Sequence, residues 1–210
     1  LAGIQGEKVN TFLDGMVDAS KTPIFQECIA VLKEFFPGEA DYIDTITPHV
    51  SGSVTVSTLH GCPPDEIERI ASYLIEKKHL HTFVKCNPTI LGYETARSIL
   101  DSMGYDYIAF DDHHFKEDLQ YADAVPMFHR LQALADREGL EFGLKLSNTF
   151  PVDVKAGELP SEEMYMAGKS LFPLTTTMAA MMAKEFGGKL RLSYAGGADA
   201  FNIDKLFACG

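Results

Sequence analysis

No C-x-x-C pair occurs in this chain, whose four cysteines are Cys28, Cys62, Cys86 and Cys209. A zinc ribbon, a thioredoxin-type redox centre and a cysteine-ligated iron–sulfur cluster are therefore not encoded in it. With 210 residues, 46% of them hydrophobic, the chain can bury an ample core without disulfide staples, and a reducing, cytoplasmic compartment is expected. No apolar run approaches the roughly 20 residues of a membrane-spanning helix. The most apolar long stretch, 170–182, is interrupted by three threonines and a proline. Basic residues are scarce: 18 Lys and Arg against 30 Asp and Glu leave a net charge of −12. Nucleic acid and anionic membranes are poor partners for such a surface, because phosphates are bound by clustered Lys and Arg. No strand-like run is followed by G-x-G-x-x-G or by a phosphate loop ending in Gly-Lys-Ser/Thr, and no G-x-S-x-G elbow is present. The chain starts at Leu1 with no basic-then-apolar secretory pattern, and that start reads as a fragment edge.

What the chain has in quantity is alternation of short β-rich runs with amphipathic helices. The run 53–59 (SVTVSTL) is rich in β-branched residues and ends at His60-Gly61. Pro63 and Pro64 suit a helix start, Asp65, Glu66 and Glu68 suit its positive end, and Lys77, Lys78 and His79 suit its negative end. Ile67, Ile70, Ala71, Leu74 and Ile75 fall on one face at helical spacing. Strand-like runs recur at 81–85, 105–110 (YDYIAF), 140–146 and 190–194. Further helices are expected at about 93–103, 123–138, 161–186 with a break near Pro173, and 200–208. The first fifty residues read as helix and loop, with helices near 12–17 and 25–36.

Five strand–helix units in alternation predict an α/β fold with a parallel sheet and right-handed crossovers. A (β/α)8 barrel of the TIM type, incomplete at five or six units, is favoured over an open doubly wound sheet, because polar residues follow every strand. With no repeat and no Ser/Gly linker, 1–210 is expected to be one domain, a fragment of such a barrel.

Side by side, the junctions read His60-Gly61-Cys62-Pro63; Lys85-Cys86-Asn87; Asp111-Asp112-His113-His114; Lys145 with Ser147, Asn148 and Thr149; and Gly196-Gly197-Ala198-Asp199. Gly, Asp, Asn and Ser serve turns anywhere. Lys85 and Lys145 are different: each stands in an otherwise apolar strand, where an ammonium is costly unless an anion meets it. Gly196-Gly197 ahead of a helix lets backbone N–H groups approach a phosphate, although plain tight turns use the same pair. Cys62 precedes a helix N-terminus, a position that favours a thiolate; it reads as a general acid or nucleophile, or as a small residue in a turn. His60, Asp112 and His114 are candidate ligands for a divalent metal, and the same residues suit a solvated turn.

These motifs carry a resemblance. The runs from His60 to Ile70, from Phe83 to Thr89 and from Lys145 to Pro151, and Ser193-Tyr194 with Gly196 to Asp199, resemble the selenate reductase iron–sulfur/flavin subunit family, and the likeness covers nearly the whole chain. It implies a barrel similar to the FMN barrel of dihydropyrimidine and dihydroorotate dehydrogenases. FAD, NAD(P) and Fe–S would be carried on other domains of a larger parent, like those of the small glutamate synthase subunit.

By that likeness Gly61-Cys62-Pro63 is similar to the motif of a catalytic cysteine. Lys85-Cys86-Asn87-Pro88 and Lys145-Leu146-Ser147-Asn148 both look like the lysine motif at the flavin. Asn148-Thr149 resembles a flavin-side strand end, and Gly196-Gly197 resembles the turn at the FMN phosphate. The expected activity is FMN-dependent oxidation or reduction of a small heterocyclic or carbonyl substrate. Cys62 would exchange a proton, Lys85 or Lys145 would hold the flavin ring, and Asn87 and Asn148 would fix polar groups. The expected partners are that small molecule and the redox domains of the parent. Two other classes stay open: a metal-dependent aldolase or isomerase barrel using His60, Asp112 and His114, and a non-catalytic scaffold barrel that docks the redox domains.

Overall fold

The computed structural model describes residues 1–57 and 60–209. The N-terminal part is helical: α1 (Glu7–Val17), α2 (Pro23–Phe35) and the single turn α3 (Ala40–Ile43). Pro23 opens α2, and the Thr22 hydroxyl accepts from the Phe25 N–H at 3.4 Å, so both local start signals are used. Then come β1 (Ser53–Val56), α4 (Pro64–Glu76), β2 (His81–Cys86), α5 (Tyr93–Ser102), α6 (His113–Glu117), α7 (Tyr121–Glu138) and β3 (Phe142–Leu146). The chain continues through β4 (Phe150–Asp153), β5 (Glu163–Met166), α8 (Phe172–Glu185), β6 (Arg191–Tyr194) and α9 (Ile203–Ala208). The expected strand positions 58 and 59, and the expected stop at Gly210, lie outside the described residues.

β1, β2, β3 and β6 pair in that order as a parallel sheet, and β4 and β5 form a separate antiparallel hairpin. The register sets Val84 beside Leu144 and Cys86 beside Leu146. These four side chains lie in one buried cluster with Ile67, Ala71 and Ile75 of α4, Phe128 and Leu131 of α7, and Leu174 and Met178 of α8. Leu13 of α1 packs with Val56, Leu74 and Leu80 in a smaller cluster. The opposite face carries Phe83, Lys85, Gly143, Lys145 and Ser193, half-buried apart from the buried glycine. Strands that neighbour one another in chain order, with helices packed on one face only, describe an arc of a barrel. A doubly wound sheet would reverse its order at a switch point and carry helices on both faces.

Two expected elements differ. Residues 105–110 form no strand, and β2 pairs directly with β3 where that strand would have stood. Arg97 of α5 holds the segment instead: its guanidinium donates to the Ile108 carbonyl at 2.6 Å and the Tyr105 carbonyl at 2.9 Å, and lies 4.6 Å over the Phe110 ring. Residues 161–186 are not one broken helix. Glu163–Met166 is a strand paired with β4, whose Phe150 and Val152 enter the core, and the helix begins only at Phe172. Pro173 therefore sits in the first turn, where its missing N–H costs nothing. Among the described residues no helix is long and apolar enough to cross a membrane.

Candidate active site

All four parallel strands end at the same rim, so the loops after β1, β2, β3 and β6 gather there. The centre of that rim is a residue that no sequence motif marks, Asp118, just past α6 and 4% exposed. Its carboxylate accepts from His60 Nδ1 at 2.8 Å, the Gly61 N–H at 3.0 Å, Asn87 Nδ2 at 3.1 Å and the Thr89 hydroxyl at 2.7 Å. Four donors from two different loops satisfy a buried anion with no Lys or Arg partner among the described residues, and the carboxylate ties the β1 loop to the end of β2.

Around His60 stand residues from the other side of the rim. The His114 ring centroid lies 5.2 Å away, and Tyr165 of β5 stacks on His60 at 6.3 Å. His114 Nε2 lies 2.8 Å from Glu163 Oε1, and its buried Nδ1 has no partner among the described residues. Each of the two imidazoles thus has one nitrogen held by a carboxylate. Asp112, the third expected metal ligand, is engaged elsewhere, paired with Lys116 at 2.6 Å. Among the described residues no three His, Cys, Asp or Glu side chains converge as a metal would require.

Cys62, Lys85, Asn87 and Asp118 line one small cavity of about 10 Å³, room for about one water molecule. Three of the expected site residues thus meet around Asp118. Lys85 and Lys145 occupy matched positions in the parallel register and share the inner face of the sheet. Their stems stand on neighbouring strands about 4.8 Å apart, and neither ammonium has an acceptor among the described residues. Asn148 links the rim through its backbone, donating to the Cys86 carbonyl at 2.8 Å, while its side-chain oxygen accepts from the Thr149 N–H at 3.0 Å.

Gly196 and Gly197 have a packing reason of their own. A Cβ on Gly196 would lie 2.2 Å from Thr175 Oγ1, and one on Gly197 would lie 3.0 Å from both the Phe172 Cβ and the Lys169 backbone. Close packing against α8 and the turn before it is thus reason enough for a glycine at each position, while Gly197 also borders an open groove with Lys169, Ser170 and Asn202. Lys169 pairs with Asp199 at 2.9 Å beside them.

Burial pushes the Cys86 thiol up from 9.0 to about 12. The unfolded chain therefore ionises this thiol before the native protein does. Its contribution to stability is fully present below pH 9.0 and is lost as the pH rises toward 12. Urea unfolding below and above pH 9.0 checks this: the native protein is expected to lose stability more steeply than the Cys86→Ala variant, and equal slopes would contradict it.

An arc of parallel strands, with helices outside and polar side chains collected at the C-terminal rim, defines an α/β domain of the TIM-barrel class. The chain belongs to the family described as "Oxidoreductase YgfK, N-terminal TIM-barrel domain", whose family model matches residues 1–210. Its relatives include the proteins described as "Putative oxidoreductase YgfK" from Escherichia coli (strain K12) and Escherichia coli O157:H7. Each is 41% identical over 225 residues, which take in 100% of this chain and 22% of the relative. The chain thus spans 22% of the length of the curated relatives it matches. No solved structure matches it.

Proposed function

We propose that this barrel holds a flavin ring, as FMN, against Lys85 and Lys145, and that the larger protein oxidises or reduces a small heterocyclic or carbonyl substrate there. The observation that carries the reading is the lysine pair. Two lysines at matched positions of neighbouring strands put two positive charges on one half-buried face, and an anionic or electron-rich ligand against that face would be bound by both. The expectation of one flavin lysine, Lys85 or Lys145, becomes a reading in which both serve.

The residues present suit the ring end of FMN: two cations share a face, with the Asn87 and Asn148 backbones and side chains at the rim above them. Gly196 and Gly197 remain the turn proposed for the phosphate, and Gly197 borders an open groove with Lys169 and Asn202. Bound FMN would supply hydride transfer. The chain's own part is to compensate negative charge on the ring through Lys85 and Lys145, and to exchange a proton through Cys62, which lines the same cavity as Lys85. FAD, NAD(P) and Fe–S on other domains, and a selenium oxyanion as electron acceptor, extend the reading to the whole protein on the strength of the family likeness.

The test is the flavin content of the full-length protein, released by heat and separated by chromatography. FMN is expected beside any FAD, and Lys85→Gln with Lys145→Gln should lower FMN at least about tenfold while leaving FAD unchanged. A native protein without FMN would sink the proposal.

A further inference from the structure

We propose that His60 is a proton-transfer residue of this rim, acting through Nε2, and that Asp118 is its positioning residue. A carboxylate only accepts, so the 2.8 Å contact with Asp118 places the proton of a neutral His60 on Nδ1 and leaves the lone pair on Nε2. Gly61, Asn87 and Thr89 hold the carboxylate from its other sides, and Tyr165 and His114 flank the ring, so the imidazole is fixed in both tautomer and orientation. A base held by a third group that is itself held is the arrangement that general acid–base chemistry needs. In the step, a proton leaves an N–H, O–H or acidic C–H of the bound molecule, its electron pair stays on that molecule, and an N–H bond forms at Nε2. The carboxylate sits where the resulting positive charge is compensated, and the reverse step returns the proton. Asp118 also lines the cavity that holds Lys85 and Cys62, which puts the dyad at the edge of the proposed flavin site.

The reaction served rests on the proposed function, but the test involves neither flavin nor the lysine pair, so the two readings fail separately. Bromoacetate alkylates whichever imidazole nitrogen bears the lone pair, and the two carboxymethylhistidine isomers separate by chromatography. The full-length protein is treated above the ordinary histidine titration range, about pH 8, and the peptide containing His60 is isolated. The Nε2 isomer is expected. Asp118→Asn should then slow alkylation of His60 at least about tenfold, with exposed His113 and His129 unchanged.

The reason lies in the surrounding donors. The backbone N–H of Gly61 cannot change, so the amide oxygen must face it, and the amide nitrogen takes the other position, the atom nearer to Nδ1. Thr89 can rotate and Asn87 can flip to accept from that amide, whose remaining hydrogen then points at Nδ1 from 2.8 Å. This shifts the ring toward the tautomer protonated on Nε2, because an Nδ1–H would keep only the amide oxygen at 3.0 Å and would face the amide hydrogen. An aspartate that only held the loop would leave its isosteric amide variant alkylated at the native rate, which would overturn the proposal. So would the Nδ1 isomer, or no alkylation of His60, in the native protein. If the variant unfolds, alkylation rises at every histidine, and the isomer found in the native protein decides.

Discussion

Gly143→Ala is expected to destabilise the domain by about 3 kcal/mol and to lower its melting temperature by roughly 6–12 °C. On the inner face of β3, a Cβ at this position would lie 2.4 Å from Phe83 Cε1 and 2.6 Å from the Arg191 carbonyl oxygen. The phenylalanine ring can turn aside at some cost. The carbonyl cannot, because Gly143 and Arg191 are register partners between β3 and β6, so the two strands must part. Phe83→Leu in the same chain is therefore expected to restore some of the loss and not all of it. Gly52→Ala is the control, since nothing lies within 4 Å of its added Cβ, and it should change stability by less than about 0.5 kcal/mol. The effect reaches the site: Phe83 and Gly143 are partners two residues before the Lys85 and Lys145 pair on the same face. An alanine variant that melted like the native protein would mean that the strands separate more easily than this packing allows.

The same locality explains which parts of the molecule were legible in the sequence. The helix at Pro64–Glu76 announces itself through prolines, first-turn acids and apolar spacing, all within one short segment. The strands at 81–86, 142–146 and 191–194 follow from β-rich runs closed by turn residues, and the lysines of the inner face stood out because an apolar strand has no local use for a charge. The run 105–110 has the same local look as those strands, and what takes it out of the sheet is Arg97, in the preceding helix. In β5, Met164 and Met166 alternate as a strand requires, but so short a run next to a long helical pattern is indistinguishable from it in sequence; only pairing with β4 separates them. Asp118 was invisible for a related reason: its partners His60, Asn87 and Thr89 lie 58, 31 and 29 residues away, and an acid between two helices looks like any cap. For Asp112 a signal did exist. Lys116 stands four residues on, and an i,i+4 pair on a helix is a sufficient use for an aspartate without any metal.

Arg97→Leu is the second substitution expected to be severe, at about 3 kcal/mol, because it leaves two carbonyls without their charged donor. The side chain is largely covered, and its planar fork serves Ile108 at 2.6 Å, Tyr105 at 2.9 Å and Asp101 at 2.8 Å at once. A lysine keeps the charge and the stem but presents one rotating ammonium, so Arg97→Lys is expected to recover less than half of the loss. Phe110, under the guanidinium, packs edge-on against Tyr93 at 5.5 Å and Phe150 at 5.0 Å, and lies 5.9 Å from Phe115. Phe115 in turn belongs to the one-and-a-half turns of helix that deliver Asp118 to His60. Loss of Arg97 should therefore loosen 105–118 before it loosens the parallel sheet. Hydrogen exchange should show this as faster exchange at Ile108 through Asp118, with the β2–β3 ladder protected as in the native protein. If the lysine variant melts like the native protein, charge alone holds the segment. If exchange rises equally in the sheet, the segment and the barrel wall form one cooperative unit, and the rim could not be perturbed without unfolding the sheet beneath it.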